Sequence, residues 1–118
     1  MTKQTYFGGC QCGAVRYEAT ADIKDVIACN CSRCRRLGWL LTFVPEADFK
    51  LTAGENATTD YLFNKHAIHH RFCATCGIEA FADGTTPNGA KMVAINVRCL
   101  DDIDFDTLTV KKVDGARF

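Results

Sequence analysis

Seven of the eight cysteines in this 118-residue chain fall in three short runs: Cys10-x-Cys12, Cys29-x-Cys31-x-x-Cys34 and Cys73-x-x-Cys76. The first and last runs each offer two thiolates, and together they supply the four ligands of a closed tetrahedral zinc site. The middle run offers three within six residues, one short of a closed set. Four protein ligands make a structural site, whereas three leave a coordination position for water or substrate. A fold that uses this pattern must bring residues 10–12 and 73–76 together across most of the chain.

The surrounding sequence favours metal over disulfides. The N-terminus, Met1-Thr2-Lys3-Gln4-Thr5, is polar and has no secretory signal, and no apolar run is long enough to span a bilayer. These features predict a cytoplasmic location, a reducing space in which cysteines serve as metal ligands or catalytic groups more often than as disulfides. The even cysteine count leaves a disulfide framework open as an alternative, as are redox-active dithiols, although the one-residue gap of Cys10 and Cys12 makes a mutual bridge awkward. Fourteen basic residues balance fourteen acidic ones. Net charge therefore gives no argument for nucleic acid or an anionic membrane as a partner. A length of 118 residues and a 47% hydrophobic composition suit one domain with a single modest core.

Short apolar runs separated by glycine turns predict a mostly β fold of several short antiparallel sheets, stapled by zinc, with at most one short helix. Tyr6-Phe7 and the segment Ala14 to Ala19 flank the first cysteine pair as a hairpin. Ala67 to Phe72 and Ile78 to Phe81 flank the last pair in the same way. Val26-Ile27-Ala28 leads into the central run. Trp39 to Val44, Phe49 to Thr52, Thr59 to Phe63, Lys91 to Val97 and Leu108 to Val110 read as further strands. Ser32 is the expected N-cap of a helical segment from Arg33 to Leu37, closed by Gly38.

In an extended segment Cys29 and Cys31 point to one face. Cys34 falls in the first helical turn, where the helix dipole and the neighbouring Arg33, Arg35 and Arg36 favour a thiolate. The trio reads as a second zinc site with an open position. A fourth ligand, a histidine or Cys99, would close it and make it structural. Arg33, Arg35 and Arg36 are candidates for an anion clamp on a substrate carboxylate, with a solvated helix face as the alternative. Trp39 is a candidate pocket wall, although core packing would also account for it. His66, His69 and His70 read as surface or half-buried strand residues, with ligation near Cys73 as the alternative. Asp101, Asp102, Asp104 and Asp106 read as a solvated loop, and Cys99 as a thiol outside the metal sites.

Three motifs carry a resemblance. Gly9-Cys10-Gln11-Cys12-Gly13-Ala14-Val15-Arg16, Cys29-Asn30-Cys31-Ser32-Arg33-Cys34-Arg35 and Arg71-Phe72-Cys73-Ala74-Thr75-Cys76-Gly77 resemble, in order and spacing, the glutathione-dependent formaldehyde-activating enzyme family, whose domain also occurs in centromere protein V. The resemblance implies one such domain over residues 1–118. It implies structural zinc at Cys10, Cys12, Cys73 and Cys76, and catalysis at Cys29, Cys31 and Cys34. The implied reaction joins a glutathione-like thiol to an aldehyde, as in S-hydroxymethylglutathione formation, a carbon–sulfur lyase-type step on small-molecule substrates. This chain is shorter than the full-length formaldehyde enzyme. A non-enzymatic zinc module for protein interaction is the rival reading, and thiol chemistry on another small electrophile is a third.

Overall fold

Period-two alternation builds the first layer. The computed structural model describes residues 3–63 and 67–117. In strand β2 (Arg16–Ala21) the residues Tyr17, Ala19 and Ala21 are buried, and those between them are half-buried. This is the signature of a strand with one face on a core. Strands β1 (Gln4–Gly9) and β5 (Phe49–Ala53) flank β2 antiparallel, completing a three-stranded sheet.

The second layer is a seven-stranded sheet. Its strands are β3 (Asp25–Cys29), β4 (Leu41–Pro45), β6 (Thr58–Tyr61), β7 (Ile68–Cys73), β8 (Glu79–Thr85), β9 (Lys91–Asn96) and β10 (Thr109–Val113). They lie in the order β10-β3-β4-β9-β8-β7-β6. Every neighbouring pair is antiparallel except β10 against β3, which run parallel. The expected class, mostly β with short antiparallel strands, is therefore correct, and β10 adds one parallel edge. Among the described residues the only α-helix is α1 (Ser32–Leu37). No helix of the described residues is long and apolar enough to cross a membrane.

The helix starts one residue earlier than the sequence suggested. Its N-cap is Cys31 rather than Ser32, with the Cys31 sulfur accepting from the Cys34 N–H at 3.3 Å. Gly38 ends the helix in the left-handed conformation, as expected. The strand predicted at Leu108 to Val110 extends instead over Thr109–Val113, and His66 lies outside the described residues.

The two faces of the large sheet have different jobs. One packs on the small sheet through Val44, Phe81, Val93 and Ile95, which meet Val15, Tyr17 and Ala19 in one core. Phe49 lies 5.2 Å from Tyr17 and 4.9 Å from Phe81, ring centre to ring centre, so an aromatic trio joins the layers. The buried Tyr17 hydroxyl donates to the Ala80 carbonyl across the interface at 3.2 Å.

The opposite face carries a row set by strand register: Phe43 beside Ala94, Ala94 beside Ala82, Ala82 beside His70, and His70 beside Tyr61. Two alanines at the centre of that row leave space that larger side chains would fill, and α1 with the cysteine segment stands over it.

Replacing Tyr17 by Phe removes the cross-layer hydrogen bond and keeps the ring. The expected cost is about 1 kcal/mol, read as a lower urea midpoint with unchanged slope.

Candidate metal centres and the cavity beside them

Two turns of the same construction present the outer cysteines. In the first, the Cys10 N–H donates to the Val15 carbonyl at 3.0 Å, and in the second the Cys73 N–H donates to the Ile78 carbonyl at 3.0 Å. Each closes over five residues. Gly13 (φ 85°) and Gly77 (φ 81°) follow the second cysteine of each pair in the left-handed region that side chains resist. Backbone N–H groups aim at the sulfurs, from Val15 to Cys10 at 3.3 Å and from Thr75 and Cys76 to Cys73 at 3.4 Å.

All four sulfurs, Cys10, Cys12, Cys73 and Cys76, lie within 4.8 Å of one another. The Cys10–Cys12 and Cys12–Cys73 sulfur separations are both 3.6 Å. A disulfide needs about 2.05 Å, whereas the edge of a tetrahedron of sulfurs at zinc bond lengths is about 3.8 Å. The spacing thus fits a shared ion, not a bridge. The N–H groups of Ile78 and Cys12 hold the Cys76 thiol down at about 6. Within the same set the Ala14 N–H pulls the Cys12 thiol down, but the neighbouring sulfurs push it up to about 11, so the four thiols titrate as a coupled group.

The sulfurs of Cys29, Cys31 and Cys34 also lie within 4.8 Å of one another, and among the described residues no histidine or carboxylate joins them. Burial would raise the Cys31 thiol, but the N–H groups of Cys34 and Arg33 and the sulfurs of Cys34 and Cys29 together outweigh it, and the net shift is down. Cys34 is pushed up, first by burial and then by its contact with Cys31, against the pull of the Trp39 indole. The trio has the donor chemistry of a zinc site with three protein ligands.

Its frame comes from the far end of the chain. Val113 pairs with Cys29 in the parallel edge, and the Asn30 N–H donates to the Val113 carbonyl at 3.2 Å. The Asn30 side chain donates to Asp114 at 3.0 Å and accepts from the Ala116 N–H at 3.0 Å. Gly115 packs so closely that a Cβ there would sit 2.3 Å from the Cys29 sulfur. This bracing has no signature in the cysteine spacing.

A cavity of about 740 Å³ opens beside the trio. Cys29, Cys31 and Cys34 form one wall, and Trp39, Phe43 and Ala94 are among the apolar residues of the others. Trp39 is 3% exposed, and its indole N–H is buried. Trp39 thus lines the cavity as well as packing in the core. A smaller hollow of about 430 Å³ lies against Arg33, Arg36 and Tyr61.

The arginines are differently engaged. Arg33 donates to Glu79 through Nε at 3.0 Å and Nη2 at 2.5 Å, and its guanidinium stacks 4.6 Å above the Tyr61 ring. Arg36 donates to the Ser32 carbonyl at 2.9 Å, and Arg35 is exposed. Glu79 also lies 2.8 Å from His70 Nδ1, and both side chains are buried. His70 is therefore deeper than the half-buried strand position the sequence suggested, and it lines the main cavity. His69 pairs with Asp60 at 2.7 Å. Cys99 stands outside both clusters, and burial pushes its thiol up to about 11.

A two-layer β domain with one four-thiol centre and one three-thiol centre on a cavity defines a class of metal-site protein. The profile of the glutathione-dependent formaldehyde-activating enzyme family matches residues 5–112, and the chain belongs to that family. The crystal structure of a Rhodobacter sphaeroides protein is similar over 92% of this chain and 100% of that one, with a TM-score of 0.76 and 26% identity.

Gly115→Ala should weaken zinc binding at the central trio by at least about tenfold, since positioning groups around a site carry effects of this order, and leave the outer site unchanged. Competition against a chromogenic chelator reads the two affinities.

Proposed function

We propose that this chain is a zinc-dependent enzyme of carbon–sulfur lyase type, joining a glutathione-like thiol and an aldehyde into an S-hydroxymethyl adduct and releasing them in reverse. One observation carries the reading: three convergent thiols, rather than four, form the wall of a cavity large enough for a small-molecule substrate. The family's description names glutathione and formaldehyde, which supplies the substrate pair.

The two clusters then divide the work. Cys10, Cys12, Cys73 and Cys76 hold structural zinc, and Cys29, Cys31 and Cys34 hold the second. Bound at the trio, zinc supplies a Lewis acid and a site that favours an anionic sulfur. The chain's own residues supply the rest. The apolar walls exclude water from the reacting atoms. Arg36 and Arg35, beside the smaller hollow and on the exposed helix surface, are the guanidinium groups left to meet the carboxylates of a thiol substrate; Arg33 acts through Glu79. The addition proceeds slowly in water, so holding the two reactants together is itself a rate advantage.

The test separates the two centres by substitution. Cys31→Ser should lower the rate of adduct formation from glutathione and formaldehyde by at least about 100-fold while the protein stays folded. Cys10→Ser should destabilise the fold by roughly 4 kcal/mol or more. Exchange NMR reads the first and thermal unfolding the second. If Cys31→Ser unfolds the chain as severely as Cys10→Ser, the central site is structural, and the rival reading of a non-enzymatic interaction module takes its place.

A further inference from the structure

We propose that His70 is the proton carrier of the central site, accepting the thiol proton and returning it to the aldehyde oxygen; this rests on the thiol-plus-aldehyde reading above. His70 is 4% exposed on strand β7, its ring 6.0 Å from Trp39 and 5.3 Å from Phe63, centre to centre. An imidazole in such surroundings needs a fixed partner, and it has one. Its Nδ1 lies 2.8 Å from Glu79 Oε2, the other Glu79 oxygen accepts twice from Arg33, and the Glu79 backbone carbonyl accepts from the Asn96 amide at 3.0 Å.

The contact fixes which nitrogen faces Glu79. A carboxylate only accepts, so Nδ1 carries a hydrogen, and in the neutral ring the lone pair is on Nε2. His70 lines the cavity, and Nε2 is the nitrogen left for whatever enters it. It stands apart from the ligand cluster, which holds only the three sulfurs among the described residues. A buried histidine that merely filled space would not require an ionic network of three elements, which costs more to bury than apolar side chains of the same size.

The groups that face His70 are few. Glu79 comes from β8, Tyr61 from the neighbouring position on β6, and Arg33 acts through Glu79 from α1. Cys29, Cys31 and Cys34 share the cavity. On its own strand His69 is taken by Asp60 and Arg71 by Asp83.

The step balances without another reactant. Nε2 takes the S–H proton, and the sulfur lone pair forms the S–C bond. The carbonyl π pair moves onto oxygen, which then takes the proton back from the imidazolium. The Glu79 carboxylate holds the ring in place through Nδ1 while the proton is carried. Glu79 and Arg33 are thus positioning residues.

The test uses zinc-loaded His70→Gln. With glutathione and formaldehyde, the variant should lose about 100-fold in rate, the lower end of the range for a positioned acid–base group. Its zinc content should be unchanged. A wild-type rate, or loss of one zinc, overturns the proposal. A second readout separates it from the substrate assignment: calorimetry of 2-mercaptoethanol binding in buffers of different ionisation enthalpy. The wild type should keep the thiol proton, and His70→Gln should release one proton to the buffer. Equal release by both proteins overturns the role of His70 whether or not formaldehyde is the substrate. If the wild type fails to accelerate the glutathione reaction but this difference persists, the substrate pair falls and the proton carrier stands. Absence of 2-mercaptoethanol binding overturns both.

Discussion

The structure depends on one closure, the meeting of Cys10 and Cys12 with Cys73 and Cys76. The Cys12 and Cys73 sulfurs lie 3.6 Å apart across 61 residues of chain. Fixing a loop of that length removes unfolded-state freedom worth about 4 kcal/mol, by the same reasoning that applies to a disulfide. Each cysteine pair sits at the turn of a hairpin, one in the small sheet and one in the large sheet. Joining the turns therefore sets the two layers face to face, and the core between them follows. The aromatic trio of Tyr17, Phe49 and Phe81 then packs across an interface whose alignment the sulfurs have set.

Once one face of the large sheet is committed to that core, its other face is free for chemistry. Register places Phe43, Ala94, Ala82, His70 and Tyr61 in one row there. The parallel edge between β10 and β3 brings the end of the chain against Cys29, so the trio is held from both sides. On the proposed reading, the outer centre is a matter of folding and the central one a matter of access. The same ligand type serves both, and ligand number together with the adjoining cavity distinguishes them.

Much of this was legible in the sequence because cysteine spacing is local. The turns around Cys10–Cys12 and Cys73–Cys76, the flanking hairpins and the helix after Cys31 all follow from residues within a few positions of one another. The bracing by Asn30, Asp114 and Gly115 was not legible, because it joins segments more than eighty residues apart through strand pairing. The contact of His70 with Glu79 was hidden for another reason: a polar residue in a strand looks the same whether it faces water or a buried partner. One signal was available. His70 stands three residues before Cys73 and Glu79 three after Cys76, and a hairpin closed at the cysteines brings such flanking positions close. The charge of Arg33 suits a substrate clamp or a solvated helix face equally, and neither reading shows that its guanidinium meets Glu79 and Tyr61.

The central claim is that two clusters of one ligand type do different work, and the number and lability of bound zinc ions tests it most directly. Metal analysis of the purified chain, followed by timed release to a mild chelator, should give two zinc ions per chain leaving in two well-separated phases. The fast phase should disappear in Cys31→Ser. Two ions released together at one slow rate, or a single ion per chain, would contradict the account.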